Sequence, residues 1–81
     1  MKSKPRKTPR IEALSLRVGS KVVKLRLDRA WTQVDLANAS GLGQGFISRV
    51  EAGSVEPCLG VLDSLATAFK IGLSELLKGI E

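Results

Sequence analysis

The sequence predicts an all-α fold. Apolar residues recur at three- and four-residue spacing along most of its 81 positions. Beyond residue 9 proline occurs once, at Pro57, so little interrupts that pattern. Glycines at 41, 53 and 72 then cut the chain into short helical lengths. A chain of this size makes one small domain, which buries roughly 60% of the surface its unfolded form exposes. Its stability margin is thin, and association with a second copy would help it.

The first ten residues, MKSKPRKTPR, hold Lys2, Lys4, Arg6, Lys7 and Arg10 and no acid, and so carry the whole net charge of +5. The remaining residues carry eight bases and eight acids. Residues 1–10 are expected to be a basic arm, disordered alone, ahead of a domain over 11–81. Such an arm suits an anionic partner such as nucleic-acid phosphates, or else is a solvated tail; lacking aromatics, it is not built to stack on bases. Thr8-Pro9 can start a helix. Ile11, Leu14, Val18, Val22 and Leu25 follow on one helical face. Gly19-Ser20 leaves open one helix over 10–29 or a lead-in followed by a helix from Ser20. Lys21, Lys24 and Arg29 fall on outer faces, mostly solvated.

Residues 31–53 are the most informative. Thr32 is an N-cap that Asp35 can answer in a capping box, and Trp31 with Leu36 can form a hydrophobic staple. The helix shows Val34, Leu36, Ala37 and Ala39 and ends at Ser40-Gly41, where glycine turns the chain in the left-handed conformation. A second helix over residues 44–52 buries Phe46, Ile47 and Val50. Ala37 lets the pair approach closely, and Leu42 lies under the turn. This is helix-turn-helix spacing, in which the second helix enters the DNA major groove. The alternative is an ordinary helical hairpin.

After a loop at Ser54–Pro57, a helix over about 59–69 directs Leu59, Leu62, Leu65, Ala66 and Phe69 to the core, with Gly60 costing up to about 1 kcal/mol relative to alanine. Cys58 reads as a small half-buried apolar residue. Ser74 is expected to cap a last short helix. Leu73, Leu76, Leu77 and Ile80 exceed what that helix must bury, so part of the set is expected to form a two-fold dimer interface.

Across Gly19 to Leu77 the sequence resembles the Cro/repressor-like (lambda-repressor-like, XRE-type) helix-turn-helix family. The resemblance rests on WTQVDLANASGL, ISRVEAG, Pro57, LATAF and LSELL at their fixed offsets. It implies a compact five-helix bundle whose first helix starts near Gly19. It also implies an ion pair between Arg26 and Glu51. Gln33 matches the family's phosphate-binding glutamine, and Cys58 stands where relatives place a serine or threonine cap. Glu56, in a loop often basic in relatives, must point away from phosphate.

On the second helix of the motif, Gln44, Gly45, Ser48 and Arg49 face away from its apolar side. Gln44 suits adenine, Arg49 suits guanine O6 and N7, and Ser48 suits a base or a phosphate. Gly45 occupies a position where relatives often carry a reading side chain and supplies none. Arg49 could instead pair with a nearby acid. Thr32, Gln33, Gly53, Ser54 and the arm residues Lys4, Arg6 and Lys7 are the candidate phosphate contacts.

The function implied is a sequence-specific, dimeric regulator of transcription that binds double-stranded DNA. Its small size resembles phage repressors and the controller proteins of restriction–modification systems. The alternative is an antitoxin that captures a protein toxin and regulates its own operon. Enzymatic activity is not expected, because the sequence has no histidine, no paired carboxylates and one unactivated cysteine. Gly41, Gly43 and Gly45 lack the Lys-Ser/Thr of a phosphate loop. No metal or cofactor is implied, and no apolar span or signal-peptide core is evident, so a cytoplasmic protein is expected.

Overall fold

The computed structural model describes residues 8–81, and all regular structure among them is helical. The helices are α1 (Pro9–Asp28), α2 (Gln33–Ser40), α3 (Gln44–Glu51), α4 (Leu59–Phe69) and α5 (Leu73–Leu77). α1 lies against α3 and α4, α2 packs on both α3 and α4, and α4 packs on α5.

Thr8 Oγ1 accepts from the Ile11 amide at 3.1 Å and Pro9 occupies the first turn, so α1 starts at the Thr8-Pro9 signal. Pro9 and Arg10, assigned by the sequence to the arm, are its first residues. The helix then runs unbroken through Gly19-Ser20, where the family pattern favoured a start. Contact with α3 explains why a glycine fits there. A Cβ on Gly19 would lie 2.5 Å from the Val50 carbonyl oxygen and 2.6 Å from that of Glu51. Only a residue without a side chain lets α1 pass this close to the end of α3. Gly53 completes the crossing. It has φ +74°, and a Cβ there would sit 2.5 Å from Leu16 Cδ2.

The core gathers Val18 and Val22 of α1, Leu36 and Ala37 of α2, Ile47 and Val50 of α3, and Leu65, Ala66, Ala68 and Phe69 of α4. Leu76 and Ile80 close its lower end. Both belong to the set of four from which part of a dimer interface was expected; they are 1% and 8% exposed within the single chain and serve its core, where they cover α4. Leu73 and Leu77 are half-buried.

Other expectations change for equally local reasons. Leu59, the first residue of α4, is 68% exposed because the core-facing row begins a turn later. Val34 and Ala39 of α2 are also exposed. Cys58 is exposed rather than half-buried, and as N-cap of α4 its side chain makes no capping hydrogen bond. Gly72, not Ser74, caps α5.

The α1 cations are not simply solvated. Lys21 Nζ donates to the carbonyls of Glu75 and Lys78 at 3.2 and 2.9 Å, and Arg17 Nη1 donates to that of Ile80 at 3.1 Å. They tie the C-terminal turn over residues 75–80 to α1, taking carbonyls at and beyond the end of α5. Arg29 donates to the carbonyls of Leu25 and Phe69 and lies 4.8 Å from the centroid of the Phe69 ring, which also stacks on Trp31.

The two glycines within helices should respond oppositely to alanine. Gly19→Ala should cost about 1–3 kcal/mol through overpacking, despite its gain in helix propensity. At Gly60 an added Cβ would meet no described atom within 4 Å, so the same change should gain about 0.5 kcal/mol. Thermal unfolding followed by circular dichroism checks both. Equal Tm values for wild type and Gly19→Ala would refute the close-approach account.

Candidate nucleic-acid interface

The α2–α3 corner is built as its residues require. Thr32 Oγ1 accepts from the Asp35 amide at 3.0 Å, and Asp35 Oδ2 accepts from the Thr32 amide at 2.8 Å, which completes the capping box. Gly41 ends α2 at φ 77°, and its amide donates to the Ala37 carbonyl at 2.9 Å. Among the described residues nothing lies within 4 Å of a Cβ there, so backbone conformation alone selects glycine. The Leu42 amide donates to Ser40 Oγ at 3.2 Å.

α3 has two unlike sides. Ile47 and Val50 are 0% and 1% exposed, while Gln44, Gly45, Ser48 and Arg49 are all exposed. Gln44 and Ser48 form one row at four-residue spacing, and Gly45 and Arg49 form the next. No acid pairs with Arg49 among the described residues; its guanidinium lies 5.8 Å from the centroid of the half-buried Phe46 ring. A Cβ at Gly45 would meet only Arg49 Nη1, at 3.8 Å, so this glycine leaves a shallow gap in the exposed face of α3. Gly43 caps α3 without a side chain, leaving the first-turn amides uncapped by any side-chain group.

The far end of α3 is locked. Arg26 Nε and Nη2 donate to Glu51 Oε2 and Oε1 at 2.6 and 3.0 Å, and Arg26 Nη1 donates to the Trp31 carbonyl at 2.9 Å. The two side chains are only 13% and 6% exposed. Hydrogen bonding to Glu51 holds the Arg26 guanidinium above its ordinary pKa, against the opposing effect of burial. It therefore stays charged at any working pH. The pair named from the family resemblance is thus present, bidentate and nearly dry.

Gln33 joins the same cluster, its Nε2 donating to Glu51 Oε1 at 2.9 Å. Sequence reasoning placed Gln33 on a phosphate and missed this bond; one amide hydrogen remains uncommitted. The amides of Gly53 and Ser54, also proposed for phosphate, donate instead to the carbonyls of Val50 and Arg49, and Ser54 Oγ donates to the Arg49 carbonyl as well. These donors close the end of α3 and are spent. Gly19 is the other omission; an isolated glycine inside a helical pattern was its only sequence signal. Glu56 is exposed, and Lys4, Arg6 and Lys7 lie outside the described residues.

Among the described residues no cluster of three or more His, Cys, Asp or Glu is placed to hold a metal, and no helix is long and apolar enough to cross a membrane.

Removing either partner of the locked pair should cost about 3–5 kcal/mol, because the other charge is left stranded. Arg26→Met, Glu51→Gln and the double variant form a cycle read by urea denaturation. Additive single effects would show that the pair does not couple α1 to α3.

Comparison with known proteins agrees with this geometry. The helix-turn-helix family profile matches residues 22–76, more than half of the chain. The HTH-type transcriptional regulator DdrOP3 of Deinococcus deserti is 34% identical over 58 residues. That alignment covers 72% of this chain and 45% of the relative, so the chain spans less than half of that protein's length. The restriction–modification controller protein C.AhdI of Aeromonas hydrophila superposes with a TM-score of 0.74 at 32% identity, covering 76% of this chain and 94% of that one. The clp gene regulator ClgR of C. glutamicum gives 0.73 at 28%, covering 79% and 83%. A hypothetical transcription factor from Neisseria, NHTF, shares the fold at 0.76 and 24% identity, covering 93% and 86%. By this match and by its capped, glycine-cornered helix pair, the chain belongs to the Cro/repressor-like helix-turn-helix DNA-binding family.

Proposed function

We propose that the protein is a sequence-specific regulator of transcription that lays α3 in the major groove of double-stranded DNA. The observation that carries this reading is the outward face of α3: Gln44, Ser48 and Arg49 are exposed on a helix whose other side buries Ile47 and Val50. Side chains that read base edges must be held rigidly with their polar ends unspent. Gln44 would take adenine, Arg49 guanine, and Ser48 a base or phosphate. Gly45 would let the backbone come close to the duplex.

The phosphate contacts we assign are Thr32, Gln33 and the first-turn amides of α2. The Thr32 hydroxyl accepts from Asp35 and keeps its own hydrogen to donate. The arm cations Lys4, Arg6 and Lys7 would add further phosphate contacts.

We infer that the working unit is a two-fold dimer, so that two copies of α3 read two half-sites. What supports this is an apolar recess of about 460 Å³ lined by Leu14, Leu77, Gly79, Ile80 and Glu81 at the end of the molecule where Leu73 and Leu77 are left half-buried. Leu77→Glu should give a monomer by sedimentation, while wild type sediments as a dimer. A wild type that stays monomeric at high micromolar concentration would remove the dimer.

Selection of bound sequences from a random DNA pool at fixed salt should yield a defined site. Arg49→Ala and Gln44→Ala should each lose about 1–3 kcal/mol of discrimination at one base position. Recovery of no consensus by the wild-type protein would overturn the reading. Deleting residues 2–7 removes four cations. If all four engage phosphates, the slope of log K against log salt should flatten by about 3.6 units; an unchanged slope would make the arm a bystander.

A further inference from the structure

Beyond its core-facing residues α1 carries a second, largely aliphatic row, whose first member Leu16 packs against Gly53 yet stays half exposed. Leu16, Ser20, Val23 and Leu27 recur at helical spacing on one face, away from Val18 and Val22. Leu16 and Leu27 are 54% and 60% exposed, and Val23 is half-buried. Beside the stripe an open groove of about 350 Å³ runs between α1 and the C-terminal turn, floored by Leu16 and Ile80 and rimmed by Arg17, Lys21, Lys24 and Lys78. Arg17 and Lys21 are anchored to backbone carbonyls, which fixes their positions while leaving their charge uncompensated by any acid they touch. Lys24 bonds Asp28 at 3.1 Å, but its side chain remains 70% exposed.

We propose that this groove is a docking site for an acidic amphipathic helix of a partner protein. The occupant follows from charge and polarity together. Four cations around an aliphatic floor complement a helix with carboxylates flanking a leucine-type stripe. A second copy of this chain pairing through the same face would bring a groove that is itself rimmed by cations and lined by no acid. The basic arm would be repelled in the same way. A nucleic-acid backbone would engage the rim but gain nothing from covering Leu16 and Leu27, which protein surfaces bury with profit. The groove shares only Gly79 and Ile80 with the recess assigned to dimerisation, and the proposal does not rest on the DNA-reading assignment.

The test uses the full chain and three fluorescein-labelled probes of about twenty residues: a helical peptide with leucines at i, i+3, i+4 and i+7 flanked by glutamates, the same composition scrambled, and the helical peptide with lysine replacing glutamate. Fluorescence anisotropy should show saturable binding of the acidic amphipathic helix, weakened by salt, and at least tenfold weaker binding of the other two. Lys24→Glu and Leu27→Ser, both at exposed positions, should each weaken it about tenfold with the helical circular-dichroism spectrum retained. Equal binding of the scrambled peptide, or no effect of either substitution, would overturn the proposal. So would sedimentation in which Lys24→Glu dissociates a wild-type dimer, which would assign the face to self-association. A DNA affinity that falls with Lys24→Glu while peptide binding holds would assign the rim to phosphate and equally refute it.

Discussion

The arrangement depends on how α1 crosses the C-terminal end of α3. At Gly19 the two backbones approach so closely that a single methyl group would strike the carbonyl oxygens of Val50 and Glu51. Just beyond, Arg26 grips Glu51 through two hydrogen bonds and reaches the Trp31 carbonyl with its remaining nitrogen. Steric contact sets the distance between helices, and the charged fork sets rotation about it. A buried ion pair contributes little net stability against hydrophobic residues of the same size, but it penalises every arrangement that separates its charges. In an eight-residue helix it acts together with the burial of Ile47 and Val50, which turns the polar residues outward.

From that constraint follows the division of labour along α3. Its C-terminal end is consumed by structure: Glu51 is bonded by Arg26 and Gln33, and the Arg49 carbonyl accepts from Ser54. Its N-terminal end is left open by a glycine cap, with Gln44, Ser48 and Arg49 on the outer surface. Helix N-termini carry unsatisfied amides and positive potential, which suits an approach to an anionic duplex. Gln33 links the two ends of this logic, since one side chain can touch Glu51 and still offer a hydrogen to phosphate.

The C-terminal half works differently. α5 is five residues long, and Lys21 and Arg17 reach across from α1 to the carbonyls of Glu75 within it and of Lys78 and Ile80 just beyond it. This use of long cations as caps leaves positive charge fixed beside exposed leucines, a combination with no role in the core.

Much of this was legible in the amino acids because it is local. The capping box at Thr32 and Asp35, the left-handed Gly41 and the alternation of Ile47 and Val50 with polar neighbours each depend on residues within a turn of one another. Tertiary structure decided the rest. Gly19 looked like a helix break, because nothing nearby reveals that a distant carbonyl pair needs its missing side chain. Leu76 and Ile80 looked surplus to a short helix, because their burial depends on α4 and not on their own segment. Gly53 and Ser54 looked like anion donors until the end of α3 claimed their amides. Periodicity and capping are properties of a few consecutive residues, whereas close approach, burial and the spending of donors depend on which remote atoms arrive beside them.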